Sequence, residues 1–400
     1  MMGKIDGKYK LAVLTSHPIQ YQTPLFRILS EHPEIDLTVY FCDRFGTGRE
    51  KYDAGFRMKI KWDIPLLEGY NYRFLRNFSL KPLSGFWGVI NPSIIKELWN
   101  NSYDAIWIHG YADLSNWFAF LGAWISRTPI ILRGESHLLN YRPAWKRIIK
   151  KIVLDMLFKR IDCFLSIGKL NTEYYKHYNV GEEKIFLTPY SVDNKFFMRK
   201  YKELIERKND VKGKLGISSD TSVILYASKM MPRKRPMDLL KAYEKIHNKV
   251  NMALVFVGDG IERSTLEVYT KSQNLKNVYF VGFKNQTELP EFFVIADVFV
   301  LPSIDEPWGL IINEAMNFGL PVITTDQVGA RYDLVRDGEN GFVYPAGDIG
   351  RLAECLLKGL QDPYVKEKMV ENSLKIISNW SYKEDIDGIL QAVEYIKKSC

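Results

Sequence analysis

Two glutamates eight positions apart, Glu306 and Glu314, lie in a stretch whose pattern predicts a strand, a loop, a helix and a second strand. Val298–Leu301 is a short apolar run, and residues 310–318 carry apolar side chains at helical spacing with Gly319 in the C-cap position. Both carboxylates are therefore expected near the carboxyl end of a strand, where open α/β sheets bind ligands. A carboxylate at that position can accept hydrogen bonds from sugar hydroxyls. The alternative interpretation is that both glutamates are solvated acids of a surface loop.

Cations and backbone amides near these glutamates predict a phosphate site. The start of the helix, near Trp308 and Gly309, offers unpaired N–H groups and the positive end of the helix dipole. Lys229 and Lys234 follow a predicted strand at residues 222–228. Two cations at that exit would neutralise a diphosphate leaving group, although a basic loop is otherwise a solvated surface.

The spacing of these residues resembles the retaining GT-B glycosyltransferases of the family 4 type, also called glycosyl transferases group 1. Seven residues separate Glu306 from Glu314, Pro-x-Gly-Leu follows the first, and Ala-Met-x-x-Gly-x-Pro-Val-Ile follows the second. The resemblance implies that Glu306 acts at the reacting sugar, that Lys234 is a catalytic residue which stabilises the departing phosphate, and that Glu314 holds the ribose of a nucleotide. Lys229 stands where the family pattern has an arginine, so this phosphate contact becomes a point charge.

The same resemblance implies a donor-binding set drawn from several strand ends of the second half of the chain. Its members are Lys229, Lys234, Gly282, Phe283, Glu306, Trp308, Gly309, Leu310 and Glu314.

Polar residues that follow predicted strands of the first half are candidates for the acceptor side. His17, Gln20 and Tyr21 follow the first strand, in a start that resembles a subgroup beginning Ser-His-Pro-Ile-Gln-Tyr and acting in surface-polysaccharide synthesis. His109 ends a later strand, and Glu135 follows the next one. A lone histidine is more often structural, but the resemblance implies that His109 lies near the transferred sugar and the acceptor, as a catalytic residue.

The order of predicted strands and helices indicates an α/β protein with two Rossmann-like, doubly wound domains, which the resemblance implies face each other across a cleft as in GT-B. We expect an N-terminal acceptor domain at residues 1–195, a charged linker at 196–215, a donor-binding domain at 216–380, and a final helix at 381–400 that crosses back to the first domain.

The aromatic segment 43–84, rich in Gly, Pro and Asn, is predicted to be a functional loop with acceptor contacts, because long ordered loops in compact domains are commonly functional. Its candidates run from Tyr52-Asp53-Ala-Gly-Phe56 through Trp62-Asp63 to Tyr70.

The distribution of charge along the chain bears on whether the protein binds a membrane surface. Residues 1–200 carry 29 basic against 19 acidic side chains, whereas residues 201–400 carry 26 against 28, so the basic excess lies in the first half. Much of it falls in residues 142–160, where Ile148, Ile149, Ile152, Val153, Met156 and Leu157 could form one apolar helix face flanked by cations. Such a helix can lie on an anionic membrane surface, and an ordinary surface helix is the alternative.

Four widely spaced cysteines, no evident signal peptide and no apolar run long enough to cross a bilayer favour a cytoplasmic protein, with peripheral attachment to the inner face of the membrane as a further hypothesis. No recognition motif for nucleic acid accompanies the basic residues.

The function that fits these observations is transfer of a sugar from a UDP- or GDP-linked donor to a growing polysaccharide or lipid-linked oligosaccharide. We expect no cofactor and no metal, because the cations would serve the leaving diphosphate and no convincing Asp-x-Asp site is seen: Asp385-x-Asp387 falls in the C-terminal helical region. A GT-B nucleotide-sugar epimerase and a non-catalytic nucleotide-sugar binding protein are the alternatives.

Overall fold

A computed structural model describes residues 7–48, 51–53, 55–139 and 143–399 of the chain. Arg142, the first cation of the predicted basic helix, and Cys400 lie outside the described residues.

The strands, in chain order, are β1 Tyr9–Thr15, β2 Ile35–Phe41, β3 Lys51–Asp53, β4 Met58–Ile60, β5 Asn71–Phe74, β6 Ala105–His109, β7 Ile130–Arg133, β8 Cys163–Ser166, β9 Ile185–Leu187, β10 Ser222–Ala227, β11 Met252–Val257, β12 Val278–Gly282, β13 Val298–Leu301, β14 Val322–Thr325 and β15 Gly341–Tyr344.

The α-helices, in chain order, are α1 Thr23–Glu31, α2 Ser93–Asn101, α3 Leu114–Ser126, α4 Ala144–Phe158, α5 Lys169–His177, α6 Asn194–Leu204, α7 Lys208–Lys214, α8 Pro236–Ile246, α9 Arg263–Ser272, α10 Pro290–Ile295, α11 Ile311–Met316, α12 Arg331–Leu334, α13 Ile349–Gln361, α14 Pro363–Ile377 and α15 Tyr382–Ser399. Short 3₁₀ helices lie at Glu182–Lys184, Ile205–Arg207 and Pro232–Lys234.

Two parallel sheets organise the chain, each in a compact unit of its own. The first sheet has the order β5-β2-β1-β6-β7-β8-β9, and the second has the order β12-β11-β10-β13-β14-β15. In both, the strand order reverses next to the first strand of the sheet, which is the switch point where doubly wound folds bind ligands. The predicted α/β class with two Rossmann-like domains is confirmed.

The first unit comprises residues 1–51, 64–189 and 382–400. Its last element, α15, packs its apolar face with Ile386, Ile389 and Val393 into the core on one side of the first sheet. At the helix start, Asp385 forms a buried ion pair with Arg133 at the end of β7, with 3.0 Å between Nη2 and Oδ2. This ion pair and the apolar face fix the C-terminal helix to the first unit.

The second unit comprises residues 52–63 and 190–381, so its boundaries differ from those expected. Residues 196–215, predicted to be a linker, form α6 and α7 within it. Although these helices are rich in charged residues, three side chains attach them to the rest of the unit. Phe197 and Val211 are buried, and the Lys212 ammonium donates to the carbonyl of Thr221 at 2.7 Å. Helical spacing of a few apolar residues therefore outweighs the charged composition.

Residues 52–63, which we call the strap, interrupt the sequence of the first unit but belong to the second. The structure describes them except for residue 54. Asp63 accepts the amide of Thr287 at 3.0 Å, and the carbonyl of Lys61 accepts the side chain of Asn285 at 2.9 Å. The strap is thus held beside the loop that follows β12.

Among the described residues, no helix is both long enough and apolar enough to cross a bilayer.

The packing of α15 makes a testable prediction. A Cβ at Gly388 would lie 2.0 Å from the carbonyl oxygen of Leu187 in β9, whereas a Cβ at Gly359 in α13 would meet its nearest neighbour, a ring carbon of Phe342, at 3.7 Å. Gly388→Ala should therefore lower the free energy of unfolding by about 1–3 kcal/mol through overpacking. The matched change Gly359→Ala should raise it by about 0.5–1 kcal/mol, because alanine suits a helix interior better. Thermal unfolding of both variants measures this, and a Gly388→Ala protein that melts like the wild type would contradict the packing.

Candidate functional site

The loop that carries Glu306 is fixed by its pairing with the loop after β14. The amide of Gly329 donates to the carbonyl of Glu306 at 2.9 Å, and the amide of Ala330 donates to the carbonyl of Trp308 at 2.9 Å. A Cβ at Gly329 would lie 1.8 Å from the carbonyl oxygen of Pro307, so only glycine allows this approach. The carboxylate of Glu306 is therefore held on a backbone pairing and not on a free loop.

The helix that follows is shorter than predicted. Residues 310–318 were expected to be helical, but α11 spans only Ile311–Met316. After it, the amides of Phe318 and Gly319 bond to carbonyls three residues earlier, at 3.0 Å each, which tightens the helix end. Gly319 has a φ of +70° and closes the turn, as its predicted C-cap position requires.

Trp308 supports the loop through its side chain. The ring is 3% exposed and stacks on Trp380 with 5.6 Å between ring centroids. Its Nε1 donates to Asn313 at 3.0 Å, and Asn313 in turn donates to the carbonyl of Tyr190 at 2.9 Å. The indole is thus committed to internal packing, which leaves the main chain of this residue to make the predicted donor contact.

A cluster of cations faces Glu306 from the loop after β10, the strand beside β13. Lys234 is 7% exposed, and its ammonium contacts the Glu306 carboxylate directly. Arg233 lies 3.6 Å from the same carboxylate and donates to the carbonyl of Asp305 at 2.8 Å. The structure thus brings together Lys234 and Glu306, which the sequence predicted to share a site, and adds Arg233, which sequence reasoning missed although it precedes Lys234.

The charge of Lys234 depends on the anion beside it. Burial, followed by the positive charges of Arg233 and Lys229, lowers the pKa of Lys234 to about 7, while the Asp305 carboxylate acts in the opposite direction. The directly contacting carboxylate of Glu306 favours the protonated form. An anion that displaced Glu306 would have to supply the same stabilisation.

Glu314 lies in α11 without a polar partner. Among the described residues its carboxyl group has no hydrogen bond or ion pair, and the residue is half-buried. Burial raises the pKa of Glu314 to about 8, so the group is largely protonated at pH 7. A carboxyl group with unused hydrogen-bonding capacity in a partly open position is suited to a polar ligand.

Backbone contacts join the end of β10 to the ends of β11 and β12, the next two strands of the sheet on the side away from β13. Gly258 donates its amide to the carbonyl of Gly282 at 2.8 Å, and a Cβ at Gly258 would lie 2.1 Å from the carbonyl oxygen of Ser228. Lys229 and Phe283 follow directly on these strand ends. Both contact the strap, a juxtaposition that the sequence did not indicate.

His109, in the first unit, is a half-buried histidine at the end of β6. Burial, the largest cause, and the Arg133 guanidinium hold the pKa of His109 well below its ordinary value. Its ring stacks on Trp107 with 4.7 Å between centroids. The side-chain nitrogen of Gln22 lies 3.4 Å from Nδ1 of the ring. The Nε2 of the ring is buried and has no partner among the described residues.

The other acceptor candidates lie at neighbouring strand ends of the same sheet. His17, Gln20 and Tyr21 follow β1, which pairs with β6, and Glu135 follows β7, on the other side of β6. His17 contacts Ser16 at 3.0 Å, and Glu135 is exposed. Parallel register thus brings three separate sequence segments to one edge. Gln22 belongs with them and was missed, because its contact with His109 spans 87 positions.

The described residues contain no group of three or more His, Cys, Asp or Glu side chains placed to hold a metal ion.

The raised pKa of Glu314 predicts how stability changes with pH. The unfolded chain releases this proton near the ordinary pKa of glutamate, about 4.3, whereas the folded chain keeps it up to about 8. The free energy of unfolding should therefore fall as pH rises from 5 to 8, and Glu314→Gln should remove that slope, a difference on the order of 2 kcal/mol after allowance for partial exposure. Urea unfolding at pH 5.5 and 8 measures it, with the exposed Glu371→Gln in α14 as the matched control. Equal slopes in wild type and Glu314→Gln would refute the assignment.

Comparison with known proteins relates the second unit to a family of enzymes. Residues 207–376 match the family described as Glycosyl transferases group 1. An N-acetyl-alpha-D-glucosaminyl L-malate synthase from Bacillus anthracis is 28% identical over 186 residues, which cover 46% of this chain and 48% of that protein. The match thus spans about half the length of this relative.

Two further proteins match over longer stretches. A UDP-Gal:alpha-D-GlcNAc-diphosphoundecaprenol alpha-1,3-galactosyltransferase from Escherichia coli is 25% identical over 307 residues, which cover 74% of this chain and 76% of that protein. The crystal structure of HepE from Anabaena, in complex with UDP and glucose, has a TM-score of 0.72 at 17% identity and covers 96% of this chain and 99% of that one. The chain therefore has the GT-B fold, and its residues 207–376, which lie in the second unit, match the glycosyl transferases group 1 family.

Proposed function

We propose that this chain is a retaining glycosyltransferase that moves a sugar from a nucleoside diphosphate sugar to a hydroxyl group of a growing polysaccharide or lipid-linked oligosaccharide. The observation that carries the proposal is the arrangement at the ends of β10 and β13, where Lys234 meets Glu306 and an unpaired Glu314 lies in the following helix. The UDP bound to HepE and the diphosphoundecaprenol acceptor named for the Escherichia coli relative support a donor and an acceptor of these classes.

The cations would serve the leaving group. As the anomeric carbon becomes oxocarbenium-like, negative charge grows on the departing diphosphate. Lys229, Arg233 and Lys234 belong to one loop, and burial, followed by the positive charges of Arg233 and Lys229, lowers the pKa of Lys234. A diphosphate offsets the positive charge of this loop and stabilises the protonated ammonium of Lys234. These side chains can therefore stabilise the leaving group without a metal ion.

The two glutamates would divide the remaining polar contacts of the donor. Glu306 exchanges its contact with Lys234 for the hydroxyl groups of the transferred sugar once the diphosphate occupies the ammonium. Glu314, half-buried and unpaired, would bind the ribose hydroxyls, and its protonated form can both donate and accept a hydrogen bond.

His109 would contact the acceptor or the transferred sugar. Its Nε2 is buried and has no hydrogen-bond partner among the described residues, and such an atom gains a hydrogen bond when a sugar hydroxyl arrives. Because the ring stays neutral, it would orient a hydroxyl group without adding positive charge near the oxocarbenium-like carbon.

A binding screen followed by turnover measurements tests this function. UDP, GDP and ADP, each with its sugar nucleotides, are screened by thermal shift, and a ligand at a hundred times its dissociation constant should stabilise the protein by about 2.7 kcal/mol. Glu314→Ala should abolish the shift, because it removes the ribose contact. Glu306→Gln should bind the nucleotide but lower turnover at least about tenfold, as should Lys234→Ala, since both act on transition-state charge.

The products then separate the alternatives. Transfer with the donor's anomeric configuration kept, read by NMR of the product, is the expected result, and an inverted product would overturn the retaining assignment. Conversion of the sugar nucleotide without any acceptor would indicate an epimerase. Nucleotide binding without turnover, with Glu306→Gln and wild type indistinguishable, would indicate a binding protein.

We further propose that the first unit attaches to an anionic membrane surface through α4. The helix has two apolar faces: Leu154, Leu157 and Phe158 are buried, so Leu157 does not belong to the outer face on which the sequence placed it. The outer face consists of side chains that are each 42–61% exposed, namely Trp145, Ile148, Ile149, Ile152, Val153 and Met156.

Cations flank this outer face. Lys146 and Arg147 are exposed at the helix start, whereas the ammonium groups of Lys150 and Lys151 lie over the rings of Tyr174 and Tyr178, at 5.0 and 5.7 Å. An exposed apolar stripe between positive side chains fits a layer of anionic headgroups over acyl chains. A lipid-linked acceptor would be presented at such a surface.

Flotation with phosphatidylglycerol-containing vesicles tests the attachment. Lys146→Glu with Arg147→Glu should reduce binding at least about tenfold, because each cation near an anionic surface contributes about 1 kcal/mol and reversal adds repulsion. Ile148→Ser with Ile152→Ser should reduce it as well, by loss of buried apolar area. The matched control is Val268→Ser, which changes an exposed apolar residue of the second unit. Wild-type protein that stays with the soluble fraction, or floats regardless of these changes, would exclude α4 as the attachment.

A further inference from the structure

A turn of the strap encloses one of the cations proposed to bind the diphosphate. The Lys229 ammonium donates to both oxygens of the Asp53 carboxylate, at 3.0 and 3.1 Å. The same carboxylate accepts the amides of Gly55 and Phe56, at 2.8 and 2.9 Å. Lys229 also lies 4.7 Å from the centre of the Phe56 ring. Asp53 thus offers Lys229 the kind of charged oxygen contact that a phosphate would offer.

The fit between this turn and Lys229 is close. A Cβ at Gly55 would lie 2.7 Å from both Cδ and Nζ of Lys229. The contact joins residues 176 positions apart, so the strap is built around a specific side chain of the second unit.

The strap also covers the end of β12, where Gly282 and Phe283 belong to the expected donor-binding set. Phe283 follows β12, and its ring contacts Phe56 at 4.8 Å and Trp62 at 6.2 Å between centroids. Two parts of the expected donor site, Lys229 and the end of β12, are therefore in contact with strap side chains.

We propose that the strap is an autoinhibitory cover of the donor site, in which Asp53 takes the place of a phosphate on Lys229 until a nucleoside diphosphate displaces it. The inference rests on the proposed function, because it assigns regulation to the same site. A diphosphate carries more negative charge than one carboxylate and can contact Lys229 and Lys234 together, so it outcompetes Asp53 where a weaker anion does not. Donor binding then releases the strap, whose exposed residues Arg57, Lys59 and Lys61 become accessible as extended chain.

Calorimetric titration of the full chain with inorganic pyrophosphate tests the competition, because pyrophosphate needs the cations but no base. Asp53→Asn keeps the shape of the turn and removes its charge, and it should tighten pyrophosphate binding about three- to tenfold, the range expected for loss of one half-exposed ion pair. In a Lys229→Gln background the same substitution should have no effect. Asp36→Asn, an exposed aspartate of β2, is the matched control for the change in net charge. Unchanged or weaker binding by Asp53→Asn overturns the proposal, as does absence of pyrophosphate binding by every variant.

Limited trypsin digestion supplies an independent readout. Cleavage after Arg57, Lys59 or Lys61 should become faster when pyrophosphate or the nucleotide found in the screen is added, because the strap is displaced. Slower cleavage would show that the strap closes over the ligand and would overturn the inference. Asp53→Asn could tighten pyrophosphate binding and pyrophosphate could speed trypsin cleavage while no nucleotide binds. That result would contradict the proposed function but would support competition between the strap and an anion.

Discussion

Mutual repulsion among three cations is the constraint on which the second unit's site depends. Lys229, Arg233 and Lys234 lie in one short loop, and the repulsion is strong enough to contribute to the lowered pKa of Lys234. Two carboxylates oppose it: Glu306 contacts Lys234, and Asp53 contacts Lys229. Because buried or half-buried charges are stable only when paired, these two carboxylates stabilise the cations of the loop.

This pairing connects the stability of the site to its chemistry. In the proposed reaction a diphosphate would bring the charge that the cations require, and it would free Glu306 to contact the sugar. The loop that holds Glu306 does not need to move for this exchange, since its backbone is paired with the loop after β14 through Gly329. A rigid backbone with exchangeable ion pairs is a preorganised arrangement for stabilising developing charge.

The first unit also contains a buried ion pair, formed by Arg133 and Asp385. Burial raises the pKa of Asp385 to about 6, and the Arg133 guanidinium opposes the rise. The pair joins α15 to the end of β7, the strand beside β6 and His109. The positive charge of Arg133 also helps to keep His109 neutral, so a contact that fixes the C-terminal helix also sets the charge at the acceptor candidate.

The sequence by itself determined the fold class and the strand ends that carry the candidate site residues. Buried parallel strands are recognisable as local apolar runs, and the loops that follow them are recognisable by glycines and polar residues. The spacing of Glu306 and Glu314, and the lysines after β10, were readable for the same reason. Only the tertiary structure decided which charges meet. The contacts of Asp53 with Lys229 and of Gln22 with His109 join distant segments, and no local pattern specifies them. Helix α4 shows the same limit: periodicity found its apolar residues, but the position of the first sheet decided that Leu157 faces the core while Ile148 faces outward, since burial is a property of the neighbours that a side chain meets.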